Sequence, residues 1–380
     1  MDFGLTDEQR MVREMVRDLA EREIRPLAAE LDEKKEFPWS IIWKMGELGL
    51  FGLPFPEECG GSGAGAISYA LALEEIGAAC ASTGLTYEAA VSLGATPFYL
   101  FGTEAQKRHW LTPAARGEIL IAFGLTEPNA GSDAGGTQTR AVLEGDHWVL
   151  NGSKIFITNA SVASALIVTA VTDPEKGTRG ISTIIIPKGT PGLTIGKKFD
   201  KLGLRASDTA QVFLEDCRVP KENLLGKRGE GFKQFLQVLD GGRVAIGALA
   251  VGIARASLDA SLRYAGERVQ FGQPINRFQA IQFKLADMAT RIEQARLLVH
   301  KAAWLKEKGL PYTKEASMAK LAASETAVWA ALEAIQIHGG YGYIKEYLVE
   351  RYLRDAKLME IGEGTSEVQR LVIARQLGCR

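Results

Sequence analysis

A single glutamate near the end of the chain stands in a setting that favours proton transfer. Glu363 lies between Gly362 and Gly364, and glycines let backbone and ligand approach each other closely. Ser366 and Gln369 follow with the spacing of a capping box, which predicts a helix start with unpaired amides and a positive dipole end. Such amides stabilise a carbonyl oxygen that gains charge while an acid side chain removes a proton. We interpret Glu363 as a general base, although the loop alone is also typical of a solvated surface glutamate.

A second segment carries the polar groups that bind a cofactor. Residues 123–133 read Phe-Gly-Leu-Thr-Glu-Pro-Asn-Ala-Gly-Ser-Asp, and Gly135, Gly136 and Thr137 follow. Glycines, hydroxyls and free backbone amides are what a cofactor loop needs. A long surface loop is the simpler interpretation of this segment on its own. The segment has no GxGxxG motif after a strand, so a Rossmann dinucleotide site is not supported.

A third set of residues has the chemistry to bind a phosphate. Arg268 lies in the segment 267–272, and Gln336 precedes His338, Gly339 and Gly340. An arginine recognises phosphate oxygens, and a glycine pair lets a diphosphate approach the backbone. Taken separately, Arg268 is also typical of a surface charge, and the two glycines are typical of a helix cap.

Composition and charge exclude several classes of function. The chain has 380 residues, of which 46% are hydrophobic, and this length predicts two or three domains. Its 45 basic and 46 acidic residues are well mixed, which gives no electrostatic case for nucleic acid or an anionic membrane. The four histidines show no metal-ligand spacing, so we predict no metal site. The four cysteines form no CxxC pair and are interpreted as reduced thiols.

The ends and apolar runs of the sequence predict a soluble protein. The N-terminus becomes charged soon after Asp2, which is not typical of a signal peptide. The longest apolar runs, residues 162–171 and 244–254, are shorter than the roughly 18 residues of a membrane span.

Hydrophobic periodicity divides the chain into three stretches. Residues 1–120 have helical spacing, and Thr6 with Gln9 forms a capping box. Residues 121–230 alternate as strands do, and Asn151-Gly152 predicts the turn of a hairpin. Residues 231–380 are helical again, with helices predicted at 278–300 and from 314 to 338. The predicted fold is mostly α: an N-terminal helical domain, a small middle β domain and a C-terminal four-helix bundle.

Together these segments resemble the acyl-CoA dehydrogenase family, in order and spacing, along essentially the whole chain. Residues 125–133, Leu-Thr-Glu-Pro-Asn-Ala-Gly-Ser-Asp, look like one family signature, and residues 336–342, Gln-Ile-His-Gly-Gly-Tyr-Gly, look like the other. The triplet Glu363-Gly364-Thr365 adds a third match. The resemblance implies the fold named above, FAD as cofactor, an acyl-CoA substrate and a homotetramer built as a dimer of dimers.

The resemblance also assigns roles to individual residues. It implies that the flavin part of the FAD site is formed by the loop and strand residues Phe123, Leu125, Thr126, Gly131, Ser132, Phe156, Ile157 and Thr158, together with Thr365 and Glu367. It also implies that the pyrophosphate and adenosine half is held from a partner subunit, by Arg268, Phe271, Gln279, Gln336, Ile337, His338, Gly339 and Gly340. It implies that the CoA thioester contacts Ser132, Asp240, Arg243 and Gly364.

The implied reaction is α,β-dehydrogenation. Glu363 would remove the α proton, a hydride would pass from Cβ to the flavin, and electron-transfer flavoprotein would reoxidise it. Three positions depart from common family patterns: Gly242 stands where some relatives carry the base, Gly362 replaces a frequent tyrosine, and Phe156 replaces a common tryptophan. Gly242 cannot act as a base, which strengthens the assignment of Glu363, whereas Gly362 leaves the acyl preference open.

Two alternatives stay open at the level of sequence. One is another flavin reaction on the same fold, such as that of an acyl-CoA oxidase. The other is a non-enzymatic helical assembly protein that has lost catalysis. The overall resemblance favours a dehydrogenase for short or short branched acyl chains, placed in a bacterial cytoplasm or, for a eukaryotic chain, in the mitochondrial matrix.

Overall fold

The structure, a computed structural model that describes residues 4–379, consists of helices at both ends of the chain and strands in the middle. The helices are α1 (Asp7–Leu19), α2 (Ala28–Lys34), α3 (Trp39–Glu47), α4 (Gly65–Ala79), α5 (Ala81–Glu88), α6 (Thr96–Phe101), α7 (Glu104–Gln106), α8 (Thr112–Ala115), α9 (Gly231–Glu267), α10 (Gln279–Glu307), α11 (Thr313–His338), α12 (Val349–Met359) and α13 (Ser366–Gln376). The strands are β1 (Ile121–Gly124), β2 (Arg140–Glu144), β3 (His147–Thr158), β4 (Ala165–Val171), β5 (Ile181–Pro187), β6 (Leu193–Ile195), β7 (Thr209–Pro220), β8 (Leu224–Leu225), β9 (Val269–Gln270) and β10 (Gln273–Pro274). The predicted fold class, helical at both ends around a central sheet, is confirmed.

The N-terminal helices surround a buried pair, α4 and α5. The predicted capping box begins α1, because Thr6 Oγ1 accepts from the Gln9 amide at 3.2 Å and Gln9 Oε1 accepts from the Thr6 amide at 3.0 Å. Helices α4 and α5 are almost entirely buried, so their apolar residues are not confined to one face, and buried glutamates such as Glu74 and Glu88 occur among them. A π-helical segment, Ala89–Ala95, continues directly from α5, and such widened turns often occur at functional sites.

The middle domain is one twisted sheet with its own apolar core. Its strand order is β6-β7-β3-β2-β4-β5-β8, and β1 pairs in parallel with β4. Trp148, Leu150, Val168 and Ile184 are among the residues that pack in this core, separately from the main core of the protein. The sheet therefore has a core of its own on one face, while residues of β1, β4 and β5 such as Ile121, Ile167 and Ile185 pack into the main core.

The predicted Asn151-Gly152 hairpin turn is wrong. Strand β3 runs through both residues, and the turn to β2 lies instead at Gly145 and Asp146. The register of β3 against β7 shifts between Leu150 and Gly152, and a Cβ at Gly152 would lie 2.7 Å from the Cα of Thr139. Asn-Gly therefore marks a bulge with close backbone approach here, which is the other structure that glycine within a strand favours.

The C-terminal helices form a bundle around α9. The helix predicted at 278–300 is longer than expected and runs from Gln279 to Glu307, while α11 ends at His338 as predicted. Among the described residues, α9 alone is long and apolar enough to cross a membrane, but 78% of that apolar window is buried by the rest of the protein. Its hydrophobic surface is thus satisfied by helix packing.

The first and last helical stretches share a single core. Gly77 lies against α9, where an added Cβ would be 2.7 Å from Leu249 Cδ1, so glycine permits the close approach of α4. A buried ion-pair network reinforces this contact: Glu74 Oε1 lies 3.0 Å from Arg296 Nη2 and 3.2 Å from Arg255 Nε. The N-terminal helices and the bundle are consequently held in a fixed relation, which matters because the candidate site lies between them.

Candidate active site

The loop that carries Glu363 has a strained backbone held by side chains from two helices. Glu363 has φ 55° and Gly364 has φ 96°, and positive φ is unusual for a residue other than glycine. Lys320 Nζ, from α11, donates to the Gly364 carbonyl at 2.8 Å. Gln369 Nε2, from α13, donates to the same carbonyl at 2.8 Å and to the Glu363 carbonyl at 3.2 Å. These bonds fix the direction in which the glutamate side chain leaves the loop.

The capping box predicted at Ser366 and Gln369 is wrong by one residue. The N-cap of α13 is Thr365, whose Oγ1 accepts from the Val368 amide at 3.3 Å. Gln369 does not return to the cap, because its side chain binds the loop carbonyls instead. The helix start itself lies where the sequence predicts it. Thr365 is therefore a structural cap, and Glu367 is exposed in the first turn of the same helix.

The Glu363 carboxylate lies in a dry pocket above helix α9. Both of its oxygens are buried without a hydrogen-bond donor from the described residues, although the residue as a whole is only half-buried. Burial raises the pKa of Glu363 to about 7, and Glu88, Arg243 and Lys320 each oppose that rise. A carboxylate with a pKa near neutral is well matched to proton abstraction. A surface glutamate, the simpler alternative, is not what the structure has.

Helix α9 supplies the rest of this pocket. Gly242 lies directly under the carboxylate, and a Cβ added there would overlap Glu363 Oε2 and lie 2.8 Å from Cδ. One turn of α9 also brings Arg243 and Asp240 together, with Nη1 to Oδ1 at 2.7 Å, and Thr313 Oγ1 donates to Asp240 at 2.6 Å. Arg243 is buried and its Nε has no acceptor among the described residues. That N–H remains available for a ligand oxygen.

The 123–133 loop is anchored to the sheet by a buried ion pair. Lys154 Nζ donates to Glu127 Oε1 at 2.6 Å and to the Leu125 carbonyl at 3.2 Å. Glu127 also accepts from the Gln138 amide at 2.7 Å and the Thr139 amide at 3.1 Å. This network holds the loop rigidly while Gly131 and Ser132 at its tip are exposed, and nothing lies within 4 Å of a Cβ added to Gly131.

The loop lies within reach of the base through α9. Phe123 stacks on Phe235 of α9 with ring centroids 3.9 Å apart. Gly242 follows Phe235 by seven residues on the same helix face, a rise of about 10 Å. Phe156, also predicted to line a cofactor, has φ 59° and is 63% exposed, whereas Ile157 is buried and Thr158 half-buried. The exposed aromatic ring of Phe156, carried on a strained backbone, is a surface on which a flat ligand could stack.

Five of the residues predicted to bind phosphate line one surface cleft. The cleft has a volume of about 450 Å³, and its walls include Arg268, Ile337, His338, Gly339 and Gly340. A Cβ on either glycine would meet nothing within 4 Å, so the backbone here is open to a ligand.

Two tyrosines complete the walls of this cleft. The Arg268 guanidinium lies over the Tyr341 ring, with Cζ 5.4 Å from the centroid, and Tyr264 stacks on His338 at 4.2 Å. Phe271, Gln279 and Gln336 do not line the cleft and are exposed, Phe271 to 94%. One chain therefore supplies only part of the predicted phosphate site.

Sequence reasoning missed two charged residues beside Glu363. Lys320 is fully buried on α11, where burial lowers its pKa to about 8, and Glu88 is fully buried at the end of α5. Each is a lone charge in a run of small and apolar residues, which is the signal that could have found them.

The chain is similar to acyl-CoA dehydrogenases over nearly its whole length. The family models for the N-terminal, middle and C-terminal domains of acyl-CoA dehydrogenase match residues 6–118, 122–217 and 229–378. The probable acyl-CoA dehydrogenase YngJ of Bacillus subtilis is 66% identical, covering 99% of this chain and 100% of the relative.

Two solved structures share the fold closely. Butyryl-CoA dehydrogenase from Megasphaera elsdenii has a TM-score of 0.98 at 48% identity, covering 99% of this chain and 100% of that chain. The second structure comes from a study of the electron-transferring flavoprotein of Acidaminococcus fermentans and its mechanism of flavin-based electron bifurcation. Its matching chain has a TM-score of 0.98 at 51% identity, and the match covers 99% of both chains.

Replacing Gly242 by alanine should displace the Glu363 side chain without unfolding the protein. Alanine favours a helix by about 1 kcal/mol over glycine, and the atoms that the new Cβ meets belong to a flexible side chain. We expect a melting temperature close to wild type and a crystal structure in which the carboxylate has moved away from α9. Gly241→Ala is the matched control, because its Cβ would meet Lys306 Nζ at 2.9 Å and not Glu363. An unmoved carboxylate in Gly242→Ala would contradict the packing described here.

Proposed function

The chain belongs to the acyl-CoA dehydrogenase family, and from that premise we propose that it oxidises a short acyl-CoA between C2 and C3 with FAD as its cofactor. The observation that carries the proposal is the Glu363 carboxylate, which is buried without a donor and has a pKa raised to about 7 by that burial. A group in this state is a base ready to remove an activated C–H proton. Similarity to butyryl-CoA dehydrogenase supports a short acyl chain.

The described residues fit FAD. The cleft at Arg268, with its open Gly339-Gly340 backbone and aromatic walls, suits a diphosphate joined to a flat base. The 123–133 loop offers exposed amides and hydroxyls, and the buried Thr137 hydroxyl nearby has no partner among the described residues. We propose that Phe123, Leu125, Thr126, Gly131, Ser132, Phe156, Ile157, Thr158, Thr365 and Glu367 contribute to the flavin side of this site. When bound, FAD accepts the hydride equivalent from C3.

The adenosine half of the cofactor is proposed to cross a subunit interface. Phe271, Gln279 and Gln336 are exposed near one end of the bundle and away from the walls of the Arg268 cleft. Phe271 is 94% exposed and Tyr343 is 86% exposed, and large apolar surfaces of this kind mark association sites. Both facts support a homotetramer in which these residues complete the FAD site of a neighbouring subunit.

The residues of the pocket provide the acid–base and binding parts of the reaction. Glu363 removes the proton from C2. The N–H of Glu363 donates to no acceptor among residues 4–379, so it is free to stabilise the thioester oxygen as that oxygen gains charge. Arg243, held by Asp240, presents its unused Nε–H to substrate oxygens, and Ser132 and Gly364 complete the proposed contacts. Burial excludes water that would otherwise solvate the carboxylate.

Electron-transfer flavoprotein is the proposed electron acceptor. Similarity to a chain from work on such a flavoprotein supports this choice. The 66% identity with a Bacillus subtilis protein supports a bacterial cytoplasmic setting.

Anaerobic mixing with acyl-CoAs of graded length and branching tests the function directly. We expect a short acyl-CoA to bleach the flavin absorbance fastest, with slow reoxidation by oxygen. Glu363→Gln should retain FAD yet lose turnover by about 10²–10⁴-fold, because base catalysis supplies about that factor. If no acyl-CoA bleaches the flavin, the proposed function is wrong. Near-normal turnover of Glu363→Gln would show that Glu363 is not the base. Rapid reoxidation of the reduced flavin by oxygen would favour an oxidase.

The rate should depend on pH through the ionisation of Glu363. Only the ionised carboxylate accepts a proton, and its pKa is about 7, so kcat/KM should rise with pH up to about 7 and then level off. Steady-state kinetics between pH 5 and pH 9 measure this rise in kcat/KM, with FAD content checked at each pH. A flat profile down to pH 5 would show that the carboxylate is not desolvated as described.

Arg268→Ala should weaken retention of FAD. The arginine lines the cleft and lies over Tyr341, so its loss removes both a phosphate donor and a packed wall. Flavin absorbance per subunit after gel filtration measures retention, and sedimentation measures assembly. Arg263→Ala is the control, because Arg263 is exposed in the last turns of α9, just before Arg268, and does not line the cleft. Equal flavin content in both variants would exclude Arg268 from the cofactor site.

A further inference from the structure

The loop that carries the base is held by a buried ammonium group. Lys320 lies on α11 and is fully buried, and its Nζ donates to the Gly364 main-chain carbonyl at 2.8 Å. No carboxylate of residues 4–379 forms an ion pair with this nitrogen. Lys154, another fully buried lysine, is instead paired directly with Glu127 at 2.6 Å. A buried ammonium is usually paired in that way, so a bond from Lys320 to the backbone alone is unusual.

A second side chain holds the same loop without a charge. Gln369 lies on α13 and is fully buried. Its Nε2 donates to the Gly364 carbonyl at 2.8 Å and to the Glu363 carbonyl at 3.2 Å, while its Oε1 has no donor among the described residues. Lys320 and Gln369 therefore share one acceptor, and only the lysine brings a positive charge to it.

These bonds also fix the direction of two loop amides. In a trans peptide the N–H points opposite to the C=O of the same peptide unit. The Glu363 carbonyl shares its unit with the Gly364 N–H, and the Gly364 carbonyl shares its unit with the Thr365 N–H. Because both carbonyls are bonded to Lys320 or Gln369, both N–H groups point away from these side chains. Neither N–H donates to an acceptor within residues 4–379, so both remain free for a ligand.

The ammonium lies near the base but does not bind its carboxylate. Standard bond lengths place Lys320 Nζ within about 9 Å of the Glu363 Cα, because the carbonyl it binds belongs to the next residue. Both carboxylate oxygens of Glu363 nevertheless have no donor in the described part of the chain. A direct ion pair would occupy these oxygens and weaken the base, whereas a bond to the backbone leaves them free. Glu88 and Arg243 are the other ionisable groups that face this carboxylate.

The other charged groups around Lys320 have partners of their own or are exposed. Arg243, Glu360 and Glu367 face the lysine besides Glu363. Arg243 is paired with an aspartate of α9, Glu360 binds the lysine three residues before it, and Glu367 is exposed. Burial lowers the pKa of Lys320 to about 8, and the charge of Glu363 opposes that fall. Glu363 is therefore the buried carboxylate on which the charge of Lys320 acts.

We propose that Lys320 is a positioning residue for the base: its bond to the Gly364 carbonyl fixes the strained loop and its free amides, and it places a positive charge near Glu363 without occupying the carboxylate oxygens. Gln369 contributes the same kind of bond but no charge. Lys320 does not itself contact the reacting atoms. The effect of Lys320 on turnover rests on the proposed function, whereas its effect on the ionisation of Glu363 does not.

A matched pair of substitutions separates the charge from the hydrogen bond. Lys320→Met and Gln369→Met each remove one donor from the Gly364 carbonyl and keep a side chain of similar length, but only Lys320→Met removes a charge. Infrared titration of the purified holoprotein follows the carboxylic-acid band of Glu363 without any substrate, and the band is assigned by its loss in Glu363→Gln.

The midpoint of this titration should respond to the charge alone. We expect a midpoint of about 7 in wild type and in Gln369→Met, and a midpoint about one pH unit higher in Lys320→Met, because a nearby positive charge favours the ionised carboxylate. An unchanged midpoint in Lys320→Met would overturn the proposal. An equal shift in both variants would also overturn it, since the loss of a bond would then explain the shift.

Turnover and stability separate positioning from a purely structural role. Both variants should lose kcat by up to about 10²-fold with FAD retained, because a small displacement of a catalytic group costs about that factor. The melting temperature of Lys320→Met should stay near wild type, since the lost bond is offset by removal of a buried charge without a direct partner. A lower melting temperature with normal kcat and an unchanged midpoint would show that Lys320 is only structural. If Lys320→Met does not fold, Lys320→Gln, which is also neutral, takes its place with the same expected midpoint.

The experiments also distinguish this inference from the proposed function. If no acyl-CoA bleaches the wild-type flavin, the function fails, while the infrared midpoints still decide whether Lys320 acts on Glu363. If the wild type turns over but Lys320→Met changes neither the midpoint nor kcat, the function stands and this inference fails.

Discussion

The Gly364 carbonyl is the point on which the site depends. It accepts hydrogen bonds from Lys320 and Gln369, which lie on different helices, and these bonds hold Glu363 in a left-handed conformation that it would not adopt alone. From this fixed backbone the side chain points toward α9, where Gly242 makes room for it. A strained residue of this kind persists only when the surrounding structure over-determines it. The packing of the bundle helices therefore determines, through this loop, where the Glu363 carboxylate lies.

The separate cores explain how the two halves of the site keep their places. The N-terminal helices and the bundle share one core, so the Glu88 and Glu363 side chains belong to a single packed unit. The sheet has a second core and carries the 123–133 loop, which Glu127 and Lys154 hold to β3. Contact between the two units at the site includes the stacked Phe123 and Phe235 rings. Helix α9 therefore contacts the 123–133 segment through Phe235 and the Glu363 side chain through Gly242.

Local signals predicted much of this structure, and tertiary contacts account for what they missed. The glycines around Glu363 and the capping chemistry before α13 are visible in sequence because neighbouring residues create them. The Asn151-Gly152 turn failed because a bulge and a turn use the same residues, and only the pairing of β3 with β7 distinguishes them. Glu88 is separated from Glu363 by most of the chain. No spacing rule connects such residues, so their coupling required the fold.

Hydrogen-bond partners distinguish two kinds of buried glutamate in this interior. Glu74 and Glu127 are buried, and each is neutralised by arginine or lysine with good geometry. Glu88 and Glu363 are as deeply placed at their carboxyl oxygens, yet no described group donates to them. A buried polar group without a partner costs about 1–3 kcal/mol, and folding alone gives no reason to keep two together. The unpartnered carboxyl oxygens of Glu363 are therefore free to interact with a ligand that enters the pocket.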